Sequence, residues 1–167
     1  MSRLLTALVT AFLICGGTCT SDSGDLSGAE REFVLGALEK IKTGETFLSL
    51  SATSITDAGA AALAKALPAS KITELYLGAN SIGAAGASAL AKALPASKLT
   101  ELHLDSNSIG DEGAAALAKA LPASKLTELN LNWNSIDDAG ASALVKAKAA
   151  SKLTKLDIND QKDHEEL

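Results

Sequence analysis

One spacing constrains this chain more than any other feature: it superposes on itself at an offset of 27 residues. With Leu75, Leu102 and Leu129 aligned, three segments read ELYLGANSI, ELHLDSNSI and ELNLNWNSI. Each is followed by a glycine (Gly86, Gly113, Gly140) and an alanine-rich stretch that ends at or near Leu-Pro-Ala-Ser-Lys. An earlier copy starts at Leu48-Ser49-Leu50 with Ile55 and Gly59, and a truncated last copy is Leu156-Asp157-Ile158. The repeat therefore comprises four complete units and a final strand. A unit this short cannot bury an apolar face by itself, so neighbouring copies must stack into one continuous core.

The two halves of each unit carry different periods. In Leu99-Thr100-Glu101-Leu102-His103-Leu104 the leucines at 102 and 104 alternate with polar residues, which predicts a strand with one face buried. From about Asp111 to Leu121, Leu117 and Leu121 recur at helical spacing beside Ala114 and Ala118. Gly113 falls in the opening turn, where the missing side chain lets the helix approach the preceding loop. Pro122, like Pro68 and Pro95 in their units, is expected to stop the helix. Strand then helix, repeated in one direction, gives an α/β solenoid with a parallel sheet inside and helices outside.

The pattern Leu-x-x-Leu-x-Leu-x-x-Asn-x-Ile, then Gly, then Ala-x-Ala-Leu-Ala-x-Ala-Leu, resembles the leucine-rich-repeat family in its ribonuclease-inhibitor class, over roughly residues 45–160. The resemblance implies a right-handed horseshoe, with the sheet on the concave face and the helices on the convex face. It also implies that Asn80, Asn107 and Asn134 form a structural ladder bonding backbone groups of the turn. Thr53 and Gln161 replace asparagine in the first and last copies, as terminal units often depart from a repeat.

Outside the repeat, residues 1–20 read as a secretory signal peptide: Arg3, an apolar run from Leu4 to Ile14, then small residues at Cys15-Gly16-Gly17-Thr18. The run is too short for a helix spanning about 30 Å of hydrocarbon, so no stable membrane anchor is expected. Cys15 and Cys19 are the only cysteines, which leaves the body of the chain without a disulfide framework. Residues 21–45 form an N-terminal capping segment. In it Phe33, Val34, Leu38 and Ile41 share one side of an amphipathic helix, running from Ser27 to Lys42, expected to cover the first strand. The repeat domain occupies 46–160. The polar tail 161–167 ends in His164-Glu165-Glu166-Leu167, which resembles the retrieval signals of the endoplasmic reticulum. A luminal location follows as the expectation, with secretion as the alternative.

The near-identity of the units makes each an internal control for the others. Much of the variation falls between and just after the strand leucines. The first such column is Ser49, Tyr76, His103, Asn130 and Asp157; the second is Ser51, Gly78, Asp105, Asn132 and Asn159. A third, at the rim, is Ala52, Ala79, Ser106, Trp133 and Asp160. Strand alternation turns the first two toward the concave face, with rows about 4.8 Å apart. A partner-binding surface is therefore expected at Tyr76, His103, Asp105, Asn130, Asn132 and Trp133, with Glu101 and Glu128 from a further row containing Glu74 and Lys155. Lys71, Lys98, Lys125 and Lys152 recur nearby as candidate neutralising groups; without them the face is acidic.

A net charge of −5 and the lack of a basic patch argue against nucleic acid. No nucleophile elbow, phosphate loop or zinc-protease motif occurs, and an open sheet excludes little water. No catalytic residue, cofactor or metal site is expected. The expected function is a monomeric, non-catalytic scaffold of the secretory pathway that binds a protein or peptide, basic if the face is acidic. The alternatives are an inhibitor of a secreted or luminal enzyme such as a ribonuclease, and a truncated or drifting repeat-expansion product with no dedicated ligand.

Overall fold

A computed structural model describes residues 26 and 28–158. The signal-peptide and retrieval segments both lie outside the described residues, as do Asn159, Asp160 and Gln161. A helix α1 (Gly28–Thr43) is followed by four strand–helix alternations and a final strand: β1 (Phe47–Ser49), α2 (Asp57–Ala66), β2 (Glu74–Tyr76), α3 (Ala84–Ala93), β3 (Glu101–His103), α4 (Gly110–Ala120), β4 (Glu128–Asn130), α5 (Asp138–Ala149) and β5 (Lys155–Asp157). The strands form one parallel sheet in the order β1-β2-β3-β4-β5. Register follows the repeat: Leu48, Leu75, Leu102, Leu129 and Leu156 are successive partners. No described helix is long and apolar enough to cross a membrane.

The core is a stack of identical rows. Leu75, Leu102 and Leu129 from the strands meet Leu63, Leu90, Leu117 and Leu144 from the helices, all at 1% exposure or less. Ile55, Ile82, Ile109 and Ile136 close the row at the turn. Alanines face neighbouring helices, so the helices pack closely although each buries little area.

The proline does not simply end each helix. Leu67–Ala69, Leu94–Ala96 and Leu121–Ala123 each add one 3₁₀ turn. The following serine then redirects the chain. Ser97 Oγ donates to the Leu94 carbonyl at 2.9 Å and accepts from the Leu99 N–H at 3.4 Å, and Ser70 and Ser124 repeat this. In the last unit Lys148 and Ala149 replace the Leu-Pro pair, and α5 accordingly runs on to Ala149.

The asparagine ladder satisfies the tight turn after each strand. Asn107 Nδ2 lies 3.0 Å from the carbonyls of Leu77 and Leu104, while its Oδ1 accepts from the Ile82 N–H at 3.0 Å. Asn80 and Asn134 make the equivalent bonds. In the first unit Thr53 Oγ1 donates to Leu50 O at 2.7 Å.

A second ladder was not anticipated from the sequence. Asp57 Oδ1 accepts from the N–H groups of Gly83 and Gly86, and Asp111 Oδ1 from those of Asp137 and Gly140. Each carboxylate thus caps the N-terminus of the next helix, where unpaired N–H groups and the helix dipole favour an anion. Glu30, 27 residues before Asp57, does the same for Thr56 and Gly59. This approach requires glycine at Gly59, Gly86 and Gly140, where a Cβ on Gly86 would fall 2.6 Å from Asp57 Oδ1; at Gly113 the crowding comes from Ile109 and Ala87 instead.

Helix α1 departs from expectation in one respect. It buries Glu30, Val34, Ala37 and Ile41 and packs chiefly along α2 rather than over β1. Phe33 is exposed, because the buried stripe is set by the neighbouring helix rather than by the sheet.

Candidate binding face on the parallel sheet

The outward residues of the sheet form parallel rows. The first is Phe47, Glu74, Glu101, Glu128 and Lys155; the second is Ser49, Tyr76, His103, Asn130 and Asp157. Backbone pairing continues beyond the strands, with the N–H groups of Ala79 and Ser106 donating to Asp105 and Asn132 at 2.9 and 2.8 Å. This extends the floor to Gly78, Asp105 and Asn132.

Three aromatic rings run across the first three strands. Tyr76 stacks on His103 with centroids 4.2 Å apart and planes within 7°, and Phe47 leans on Tyr76 at 5.2 Å and 56°. Phe47, 48% exposed, is a residue that the sequence reading missed. Its signal was available, since it stands in the column that is Glu in the next three units.

Beside the rings lies the glutamate row. Tyr76 Oη donates to Glu101 Oε2 at 3.4 Å, and His103 Nε2 is 4.0 Å from the same oxygen. Partial desolvation, then the negative charges of Glu101, Glu74 and Glu128, push the Tyr76 phenol above its ordinary pKa of 10.0. Among the described residues, Lys155 is the lysine that pairs with this row, at 3.4 Å from Glu128 and 3.5 Å from Asp157. Those two carboxylates raise the Lys155 pKa. Lys71, Lys98, Lys125 and Lys152 make no ion pair with the row among the described residues, so no lysine neutralises Glu74 or Glu101 there.

The other expected residues form a second, more polar zone. Asn130 Nδ2 reaches Asp105 Oδ1 at 3.5 Å, and Asn130 Oδ1 accepts from the Asn132 N–H at 3.1 Å. Asn132 Oδ1 is buried without a donor. Trp133 stands at the edge of this zone, 52% exposed. Its backbone is left-handed (φ 59°), like that of Ala52, Ala79 and Ser106 in the same column. A left-handed non-glycine residue is strained by about 1–2 kcal/mol, and small side chains are the easier fit. The one unit that places a bulky ring there also exposes it. The structure thus gathers Tyr76, His103, Glu101 and Glu128 in one patch and Asp105, Asn130, Asn132 and Trp133 in an adjoining one.

A model of leucine-rich repeats matches residues 69–91, 96–118 and 123–145, three consecutive units of the solenoid just described. These three units are leucine-rich repeats. Among solved structures it is similar to the Leiomodin-1 Actin-Binding Site 2 (ABS2), with 25% identity and a TM-score of 0.69 over 76% of this chain and 79% of that one. No curated protein matches the sequence. The horseshoe with a sheet on its inner face is the architecture that these repeats share, and the patches above lie on that face.

Proposed function

We propose that this protein is a non-catalytic scaffold that binds a protein or peptide on the open face of its sheet, and that the partner is basic. The observation that carries this is the glutamate row without lysine partners at Glu74 and Glu101, running beside the exposed ring of Phe47 and the half-buried ring of Tyr76. Such a face offers aromatic surface for contact and a negative field for orientation. The similar leucine-rich-repeat structure is an actin-binding site, which supports protein binding as the general use of a solenoid of this size. Capture from a microsomal lumen tests the reading, with wild type against a Tyr76/His103/Trp133 triple-alanine variant. The variant should lose the specific partner and keep the fold; equal recovery by both would remove the concave face from the account.

The same acidic row favours a second reading, inhibition of a basic secreted ribonuclease. Residual nuclease activity titrated against the purified protein decides it, and no inhibition at micromolar concentration would exclude it. For location, we propose the lumen of the endoplasmic reticulum, supported by the apolar leader and the His164–Leu167 tail in the sequence. Deleting Leu167 should convert retention into secretion.

A further inference from the structure

We propose that Glu101, His103 and Glu128 form a binding site for a divalent transition cation, with Zn²⁺ the ion their donors suit. One carboxylate oxygen of each glutamate and a ring nitrogen of His103 lie within 4.8 Å of one another, all on partly buried side chains. The fold places them there. Glu101 and His103 are two residues apart on β3 and share a face, and Glu128 is the in-register partner of Glu101 on β4.

Metal–ligand bonds of about 2.0–2.2 Å hold tetrahedral donors roughly 3.3 Å apart. The 4.0 Å between His103 Nε2 and Glu101 Oε2 is too long for a hydrogen bond and closes to that spacing by small side-chain rotations. Two facing carboxylates repel, and a cation between them removes the repulsion. The next strand pair shows this compensation, with the Lys155 ammonium seated between Glu128 and Asp157. On β2, the position equivalent to His103 is Tyr76, which supplies no metal donor of that kind. Only across β3 and β4 do an imidazole and two carboxylates meet among the described residues.

Imidazole with carboxylates selects zinc-like ions, whereas Ca²⁺ and Mg²⁺ take oxygen donors and more of them. Tyr76 supports the site from behind by stacking on the imidazole and bonding Glu101, as outer groups orient metal ligands elsewhere. With three protein donors on an open sheet, a fourth position faces solvent and is available to a donor atom of a bound partner.

The site uses the face already assigned to protein binding but is tested without any partner. The full chain, with Cys15→Ser and Cys19→Ser to remove thiolate ligands, is titrated with ZnCl₂ by calorimetry. One saturable Zn²⁺ equivalent is expected. Its affinity should fall at least tenfold in His103→Gln and in Glu128→Gln, but stay constant in His164→Gln, with unchanged circular dichroism throughout. Mg²⁺ and Ca²⁺ should bind at least a hundredfold more weakly. Affinity that survives His103→Gln, or no saturation below about 1 mM, would overturn the site. Zinc binding by a protein that captures no partner would uphold the site and remove the scaffold reading. Partner capture by a protein that binds no zinc would do the reverse.

Discussion

The two sides of each strand obey different rules. Residues pointing inward are copied from unit to unit: Leu75, Leu102 and Leu129 are interchangeable, as are Asn80, Asn107 and Asn134. The next residues along each strand, on the outer face, are not, running Ser49, Tyr76, His103, Asn130 and Asp157. The backbone is the same on both sides, so the difference lies in what each side touches. An inner residue meets its own copy above and below, and any change must suit both neighbours at once. An outer residue meets solvent or a partner. The fold is therefore carried by the repeated inner residues and the proposed function by the outer ones, where the copied glutamates Glu74, Glu101 and Glu128 lie beside a row that varies from unit to unit.

Substitutions can break this comparison, starting with the inner ladder. Asn107→Ala orphans the Ile82 N–H and takes one of two asparagine donors from each of the Leu77 and Leu104 carbonyls, and should destabilise the protein by about 2–3 kcal/mol in a urea titration. A loss comparable to that of an exposed outer residue, about 0.5 kcal/mol or less, would contradict the ladder's role. Asp57→Ala removes the carboxylate cap of α3 and should cost about 2 kcal/mol.

The molecule contains its own control for that cap. Ala84 replaces the carboxylate ahead of α4, and the entry to that helix differs from the others. Thr56, Gly83 and Asp137 are extended, whereas Gly110 at the equivalent position is left-handed at φ 60°. A φ of that sign suits glycine, so Gly110 and the missing carboxylate belong together.

The outer face should respond in the opposite sense. Trp133→Asn replaces a strained, exposed ring by a residue that tolerates the left-handed region, and should raise stability by about 1 kcal/mol while reducing partner capture. The smallest effect is electrostatic. Tyr76 is the only tyrosine, so its phenol can be titrated by ultraviolet absorption; it should ionise above 10.0, and Glu101→Gln should lower that value. Because the folded pKa is raised, this contribution to stability is complete below pH 10 and is lost as the pH climbs through the folded value.

Most of the architecture was legible because the repeat states it several times. Strand register, the leucine rows and the asparagine positions all follow from one offset. The serine and carboxylate ladders were less legible. Ser97 reads as an ordinary loop residue, and Asp57 bonds a helix 26 residues away that only the stacking of units brings near. The exposure of Phe33 escaped for a related reason, since periodicity gives the sides of a helix but not which neighbour it packs on. On the sheet, the varied residues were visible as a column. The approach of Glu101, His103 and Glu128 needs two strands at once, and the single-column reading passed over it.

The fluorescence of Trp133, the only tryptophan, tests the central claim most directly. In the free protein its emission should be that of a water-exposed indole, given its 52% exposure. Saturation with the captured partner should shift the emission to the blue, as the ring leaves water at the edge of the concave face. A partner whose binding is measured independently and leaves that emission unmoved would contradict the assignment of this end of the face to recognition.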